Sequence, residues 1–279
     1  MATVDLSKIK LVNRNTWDTN TTYTADDIVQ YTDTGNNILS TYICVVSSSQ
    51  GHVPSASGTT HASWNYLAKG GNPTGGFESH QVFTSSGTWT KPTGIAKVKV
   101  TVTGGGGGGG GGTGSYNQGG GGGAGGTAIE VIDVSSVSSV TVTVGQGGAG
   151  GTAQGTSGGT SSFGSYCSAT GGTGGLEAQG NGRCGGGVGS NGDLNFYGGD
   201  GCTAGGGNSS DEGVAGTGGA SYWGGGAGGS PSGGNTNAAD GGYHAQTYGS
   251  GGGGGDDGGQ GSNIGGNGQH GVVYVEEFK

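Results

Sequence analysis

Residues 97–103 alternate strictly between apolar and polar side chains. The stretch reads KVKVTVT, so Val98, Val100 and Val102 share one face, while lysine and threonine occupy the other. A period of two residues is typical of a β-strand with one buried face. We therefore predict a strand here whose three valines enter a hydrophobic core.

Three later stretches have the same character. They read TAIEVIDV at 127–134, SVTVTVG at 139–145 and GVVYVEEFK at 271–279. Since a strand needs a hydrogen-bonded neighbour along its edge, we expect the last stretch to pair with strands that precede residue 145. The predicted strands, at about 80–103, 127–145 and 271–278, form a small β-sandwich.

Nine consecutive glycines, Gly104–Gly112, follow the first of these strands. Glycine chains can form an extended threefold helix that rises about 3.1 Å per residue and has no internal hydrogen bonds, so it is stable only within a bundle. A flexible linker is the alternative. The downstream sequence alternates glycine blocks with compact polar and aromatic inserts instead of repeating Gly and Ser, which favours a bundle. We place this bundle and its loops at 104–126 and 146–270.

Composition divides the chain unevenly. Of its 78 glycines, only Gly35, Gly51 and Gly58 precede residue 70. Interior glycine costs a helix about 1 kcal/mol relative to alanine, and only 28% of the residues are hydrophobic. We predict a mainly β and irregular fold with essentially no α-helix, in which the small sandwich carries the glycine-rich insertion as packed polyglycine II helices. The predicted divisions are an arm at 1–15, a small β module at 16–69 and a glycine-rich domain at 70–279.

Charge excludes several functions. Between Val100 and Phe278 the sequence has a single cation, Arg183, against twelve carboxylates. Phosphate affinity requires Lys and Arg, so nucleic acid is not an expected partner. The four cysteines and five histidines show no metal-ligand spacing and no arrangement of nucleophile and base. We predict no enzyme activity, no catalytic residue, no metal, no cofactor and no insertion into a membrane.

The predicted module at 16–69 consists of short β segments separated by polar turns. We expect it to have a small core. The core residues predicted from the sequence are Ile28, Val29, Tyr42, Ile43, Val45, Trp64 and Leu67.

The order of landmarks in this module resembles a known family. Trp17 and Tyr23 precede DDIV at 26–29, YICV at 42–45, Pro54 and a closing Trp64. This order resembles the small chitin-binding-type carbohydrate modules, and also the copies of that module at the N-termini of tailed-phage virion proteins. The resemblance implies that solvent-facing rings stack on sugars, whereas the alternative is that the rings only fill the small core. The sugar-stacking candidates are Trp17, Tyr23, Tyr31 and Trp64.

A second resemblance covers the rest of the chain. The opening FTSSGTWTKP at 83–92, the strand that leads into the glycine run, and the closing GVVYV are similar to the glycine-rich domain of phage tail-fibre proteins and of distal adhesins of T-even-like phages. It implies a structural virion protein of a tailed phage, a fibre or fibre-tip adhesin, that is made in the host cytoplasm and displayed on the virion surface. The implied partners are other virion proteins, bound through the N-terminal arm, and a host-cell glycan or protein. Whether the chain forms a homotrimer is left open by the sequence.

The inserts between the glycine blocks carry large rings among Asn, Ser and Gly, a composition that makes adaptable contacts in binding loops. The other interpretation is that each ring caps a glycine segment. Two further functions stay open, a decoration or scaffold protein without a specific ligand and an ice-binding protein. The receptor-binding candidates are Tyr116, Phe196, Tyr197, Tyr222, Trp223, Tyr243, His244 and Tyr248.

Overall fold

The computed structural model of the chain describes residues 11–35, 37–70, 76–112, 118–177, 184–204, 214–230, 241–256 and 263–279. Within these ranges the regular secondary structure is β-strand, and no α-helix occurs, which confirms the predicted fold class. The same ranges contain no helix that is long and apolar enough to cross a membrane. The chain divides into two compact units, Met1–Thr74 and Gly75–Lys279.

The first unit contains a four-stranded sheet in the order β1-β2-β3-β6 and a separate hairpin of β4 and β5. The first strand pairs in parallel with β2, and the other pairs are antiparallel. The described end of the predicted arm is therefore an edge strand of this unit. The strands are β1 (Val12–Thr16), β2 (Asp27–Asp33), β3 (Ile38–Cys44), β4 (Ser55–Ala56), β5 (Thr59–Thr60) and β6 (Trp64–Ala68).

Strand register decides which residues form the core of this unit. Val29 lies opposite Tyr42, and both are fully buried. Their neighbours Ile28 and Ile43 also face each other, but on the other side of the sheet, where they are only half-buried. The predicted core was therefore wrong for Ile28 and Ile43, and also for Val45 and Leu67, which are exposed. The observed core is Tyr23, Val29, Tyr42, Cys44 and Trp64.

A buried carboxylate joins the two sheets of the first unit. Asp33, at the end of β2, accepts hydrogen bonds from the amides of Gly35, Ser57 and Gly58 at 2.7–2.9 Å. The hydroxyl of Ser55 also donates to it. Since these donors lie in or beside the β4–β5 hairpin and the turn after β2, Asp33 fixes both turns to the sheet.

The second unit begins with two five-stranded sheets. The first sheet has the order β15-β10-β9-β16-β7 and the second has the order β14-β13-β12-β11-β8. As expected, the last strand pairs with strands from before residue 145, namely β9 and β7. The strands are β7 (Phe77–Phe83), β8 (Gly87–Thr90), β9 (Lys97–Thr103), β10 (Thr127–Asp133), β11 (Ser139–Thr143), β12 (Ser161–Phe163), β13 (Cys167–Ala169), β14 (Gly189–Ser190), β15 (Leu194–Phe196) and β16 (Val272–Phe278).

The two sheets form a sandwich around one hydrophobic core. The three valines of the alternating stretch, Val98, Val100 and Val102, are fully buried there, as their pattern predicted. They pack with Trp89 of β8 and Phe163 of β12, which belong to the opposite sheet. The structure adds β12 to β15 within 146–270, so the glycine-rich region returns to the sandwich at these short strands.

The nine-glycine run is a segment enclosed by other parts of the chain. Every third amide meets the same neighbour, so that Gly104, Gly107 and Gly110 all donate to segment 119–126, with N···O distances of 2.8–3.0 Å. This repeat of three residues is the period of the polyglycine II helix. The run therefore builds structure, and the linker alternative is wrong for it.

Six segments surround the run. Its amides donate to three antiparallel neighbours, and its carbonyls accept from three parallel ones. Segments 119–126 and 249–255 are likewise each hydrogen-bonded to six other segments. We call these three segments the central rods; the outer rods are 145–151, 153–159, 170–176, 184–188, 198–202, 215–220, 224–230, 241–246 and 263–270.

Glycine is required at most positions of the central rods because neighbouring main chains approach so closely. A Cβ atom built on Gly108 would lie 2.1 Å from the carbonyl oxygen of Ala149, and one on Gly109 would lie 2.0 Å from that of Gly253. None of Gly104–Gly112 has a positive φ angle. Glycine is therefore present in this run because the main chains pack closely, and not because it can adopt a left-handed backbone conformation.

Candidate functional site

A tight turn between two outer rods displays two large rings. Rod 215–220 is followed by Ser221, which pairs with Gly224 at the start of rod 224–230. The amide of Ser221 donates to the carbonyl of Gly224 at 2.9 Å, and the two intervening residues are Tyr222 and Trp223. Their side chains thus project from a short, hydrogen-bonded hairpin.

These rings belong to a row that crosses the first sheet of the sandwich. Ring centroids are 5.9 Å apart between Phe196 and Tyr222, 5.3 Å between Tyr222 and Trp223, and 6.4 Å between Trp223 and Tyr274. The His80 ring lies 5.6 Å from that of Tyr274. We call these five residues the aromatic row. It runs from the edge strand β15 to the other edge strand β7.

The aromatic row lies on the face of the sheet that points away from the core. Tyr274 stands between Val273 and Val275, whose side chains are fully buried in the sandwich. Alternate residues of a strand face opposite sides, so Tyr274 faces outward. Phe196, Tyr222 and Trp223 are 40%, 53% and 38% exposed, and these open ring surfaces are available to a partner.

Trp223 is anchored as well as exposed. Its indole N–H donates to Oγ1 of Thr103 at 2.9 Å, and that hydroxyl lies 2.8 Å from the hydroxyl of Thr127. Thr103 is the last residue of β9, directly before the first central rod. The ring thus covers the junction of sandwich and bundle, so Trp223 combines the capping role with an open surface.

A salt bridge lies beside the aromatic row. Lys99 Nζ and Glu276 Oε2 are 2.8 Å apart, and the two residues are cross-strand partners on the outer face of β9 and β16. The hydrogen bond to Glu276 raises the pKa of Lys99, and the nearby Tyr222 and Tyr274 act in the same direction. The row therefore combines apolar ring surfaces with a fixed pair of charges.

The other receptor-binding candidates lie elsewhere or outside the described residues. Tyr197, next to Phe196, is 79% exposed, and Tyr248, in the turn before rod 249–255, is 40% exposed. Tyr243 lies against Gly228 of a neighbouring outer rod, and His244 accepts a hydrogen bond at Nδ1. Tyr116 lies outside the described residues. The structure thus brings Phe196, Tyr222 and Trp223 together.

The sugar-stacking candidates of the first unit divide into two pairs. Tyr23 and Trp64 are each 1% exposed and contact each other with a centroid distance of 5.2 Å, so neither has an open ring face and both are corrected to core residues. Their burial follows from the need of so small a unit for large apolar side chains. Trp17 and Tyr31 are half-buried and in edge contact at 5.5 Å, and they stay candidates.

Sequence analysis did not name Tyr274, His80 or Lys99 as site residues. The alternation of GVVYVEEF did contain a signal for Tyr274, because a ring between two buried valines must face the other side. For His80 the sequence has no such signal. Its position beside Tyr274 depends on the pairing of β7 with β16, which are far apart in the chain.

The second unit matches a known family. The profile described as a glycine-rich domain matches residues 78–277, which extends from β7 into β16 and includes the rods. The chain therefore belongs to the glycine-rich domain family. No curated protein matches the chain.

Proposed function

We propose that this protein is a structural, non-enzymatic component of a tailed-phage particle, a fibre or fibre-tip adhesin that binds a host-cell glycan or protein. The aromatic row is the single observation that carries this proposal. Three exposed rings, Phe196, Tyr222 and Trp223, are held in mutual contact by a hairpin of the bundle and by the edge of the sandwich.

Rigid support favours binding at such a surface. Two-torsion aromatic side chains lose little conformational entropy on contact, and they offer large apolar faces with a polar tip. Here the indole of Trp223 is already fixed by Thr103, and the Lys99–Glu276 pair can hydrogen-bond to hydroxyl groups beside the rings. A pyranose, with one apolar C–H face and a rim of hydroxyls, has the complementary chemistry.

The remaining parts of the proposal concern location and partners. We infer display on the virion surface, and attachment to other virion proteins through the N-terminal arm, from the resemblance of the sequence to fibre proteins. The glycine-rich domain family match supports the structural role of the second unit. A decoration or scaffold protein without a specific ligand is the competing function.

Glycan-array and host-cell binding of the full chain test the proposal. Tyr222→Ala and Phe196→Ala remove exposed rings from the aromatic row, and Tyr243→Ala removes an exposed ring from outer rod 241–246. We expect selective binding by the wild type, at least about a tenfold loss in the first two variants, and no loss in the third. A tenfold loss corresponds to about 1.4 kcal/mol, the order of one aromatic contact.

The outcomes separate the alternatives. A wild-type chain that binds no glycan and no host cell contradicts the adhesin and supports the scaffold. Selective binding that survives both Tyr222→Ala and Phe196→Ala keeps the adhesin but removes the aromatic row as its site. Loss of binding only in Tyr243→Ala moves the site to the outer rod 241–246.

A further inference from the structure

Outer rods carry main-chain amides that donate to no main-chain carbonyl of a neighbouring rod. In rod 145–151, Gly148 and Gly151 donate inward to carbonyls of the first central rod. Because the rods repeat every three residues, Gly147 and Gly150 point in a different direction. Their amides donate instead to side chains of rod 263–270, to Nδ1 of His270 and to Oδ1 of Asn267, each at 2.9 Å.

The same arrangement recurs around the bundle. In each case an amide of one outer rod is accepted by a side chain of the next outer rod. The further donor and acceptor pairs are Ala149 to Thr156 Oγ1 at 2.7 Å, Gly174 to Ser157 Oγ at 3.4 Å, Gly186 to Asp200 Oδ1 at 3.0 Å, Val188 to Thr170 Oγ1 at 2.8 Å and Asn267 to His244 Nδ1 at 2.8 Å.

An uncapped outer rod would resemble the open edge of a β-sheet. Its outward amides would have the spacing and direction of those that bind the carbonyls of a neighbouring rod inside the bundle. Open rows of main-chain donors are templates for pairing with another chain, and natural sheets cover or block them. In this bundle, a side-chain acceptor on the adjacent rod accepts from each of the seven amides named above.

We propose that these side-chain acceptors, which we call caps, block the outer rods whose amides they bind and prevent a second copy of this chain from adding its rods there. The caps explain why polar residues such as His244, Asn267 and His270 interrupt the glycine pattern of outer rods. They are not directed at a ligand, because the atom that faces the rod is already bonded to main chain.

Rod 145–151 gives the most direct test. The double variant Asn267→Ala with His270→Ala removes both caps from Gly147 and Gly150, and both side chains are exposed, so folding is retained. Asn267→Asp keeps an acceptor oxygen at the same place. Gln146→Ala removes an exposed polar side chain from the same rod, one that accepts none of these amides.

Sedimentation velocity over a range of protein concentrations compares these full-length variants with the wild type. We expect the double variant to self-associate at a concentration about tenfold or more below that of the wild type, since two hydrogen bonds of usual net strength correspond to that ratio. Asn267→Asp and Gln146→Ala sediment like the wild type. Amide exchange at Gly147 and Gly150 in dilute protein becomes faster only in the double variant.

Three results would overturn the proposal. In the first, the double variant loses protection at Gly147 and Gly150 but sediments like the wild type at every concentration. In the second, exchange at these two amides is unchanged, so the side chains do not act as caps. In the third, Gln146→Ala associates as strongly as the double variant, so any loss of a polar side chain suffices.

Discussion

The indole N–H of Trp223 donates to Oγ1 of Thr103 over a sequence separation of 120 residues. This bond joins the hairpin between two outer rods to the last residue of β9, where the sandwich passes into the first central rod. The same ring supports the aromatic row. A substitution at Trp223 that removes the ring would change both this hydrogen bond and the aromatic row. The contribution of the bond can be measured by itself only if an aromatic ring is kept.

Trp223→Phe keeps an aromatic ring and removes the donor. We expect the free energy of unfolding to fall by about 1 kcal/mol, the usual net value of one hydrogen bond. Denaturant unfolding of the full chain measures the change. Tyr222→Phe, which keeps its ring in the same hairpin, is the control and leaves stability unchanged; equal stability of Trp223→Phe and the wild type would show that the bond contributes nothing.

Gly108→Ala tests the close approach of the rods. The added methyl would lie 2.1 Å from the carbonyl oxygen of Ala149. This oxygen belongs to the main chain, so it cannot move without displacing the rod that contains it. We expect a loss of at least about 3 kcal/mol in unfolding free energy, the upper end of ordinary overpacking. If the Gly108→Ala chain does not accumulate as soluble protein, the loss of stability is larger still.

Gly185→Ala is the matched control for that substitution. A Cβ atom on Gly185 meets no atom within 4 Å, and its φ angle is not positive. We expect a change of less than about 1 kcal/mol, including a small gain from a less flexible unfolded chain. Equal effects at Gly108 and Gly185 would contradict the role assigned to glycine.

Asp33 makes the first unit sensitive to acid. The hydrogen bond from Ser55 is the largest cause that lowers the pKa of Asp33 to about 2, and burial opposes it. Because the folded pKa lies below the ordinary value of 3.8, the stability from Asp33 is present above pH 3.8 and is lost as the pH falls through about 2. Amide chemical shifts of Ser57 and Gly58 should titrate with a midpoint near 2.

Asp33→Asn removes this acid transition. We expect it to lower stability at neutral pH by about 1–3 kcal/mol, because one acceptor oxygen is replaced by a donor that faces other donors. A wild-type midpoint at the ordinary value for aspartate, or an unchanged stability of the variant, would show that the carboxylate does not hold the two turns.

Cysteine reactivity reports on packing in the second unit. All four cysteines are free thiols, and only Cys202 is exposed. Burial, with a smaller effect of Glu130, raises the pKa of Cys167 to about 12, and the thiolate is the reactive form. We expect iodoacetamide at pH 8 to label Cys202 alone in the folded chain. Mass spectrometry of peptides checks this, and labelling of Cys167 at the rate of Cys202 would contradict the packing.

The parts of the fold that could be predicted from sequence are those with a local signal. The alternation around Val100 placed a buried strand, and the absence of side chains over Gly104–Gly112 indicated a bundle. The strands β12 to β15 have only two or three residues each, so their patterns were too short to detect. Their positions depend on pairing with distant strands.

The candidate site was predictable to a smaller extent. Large rings in polar inserts identified Tyr222 and Trp223, but their contact with Phe196 and Tyr274 depends on how the rods return to the sandwich. Tyr23 and Trp64 could not be told from exposed rings, because burial in a small unit is set by strand register. The caps had no signal, since a polar residue beside glycine is equally typical of a linker.

Amide hydrogen exchange in the central rods tests the main claim most directly. Gly107 and Gly122 lie in two different central rods, and Val100 of β9 is the internal reference for a packed strand. We predict that both glycine amides exchange at least about a thousandfold more slowly than in an unstructured peptide, equivalent to about 4 kcal/mol, and with protection similar to that of Val100. Exchange of Gly107 and Gly122 at the rate of an unstructured peptide, while Val100 stays protected, would contradict the bundle.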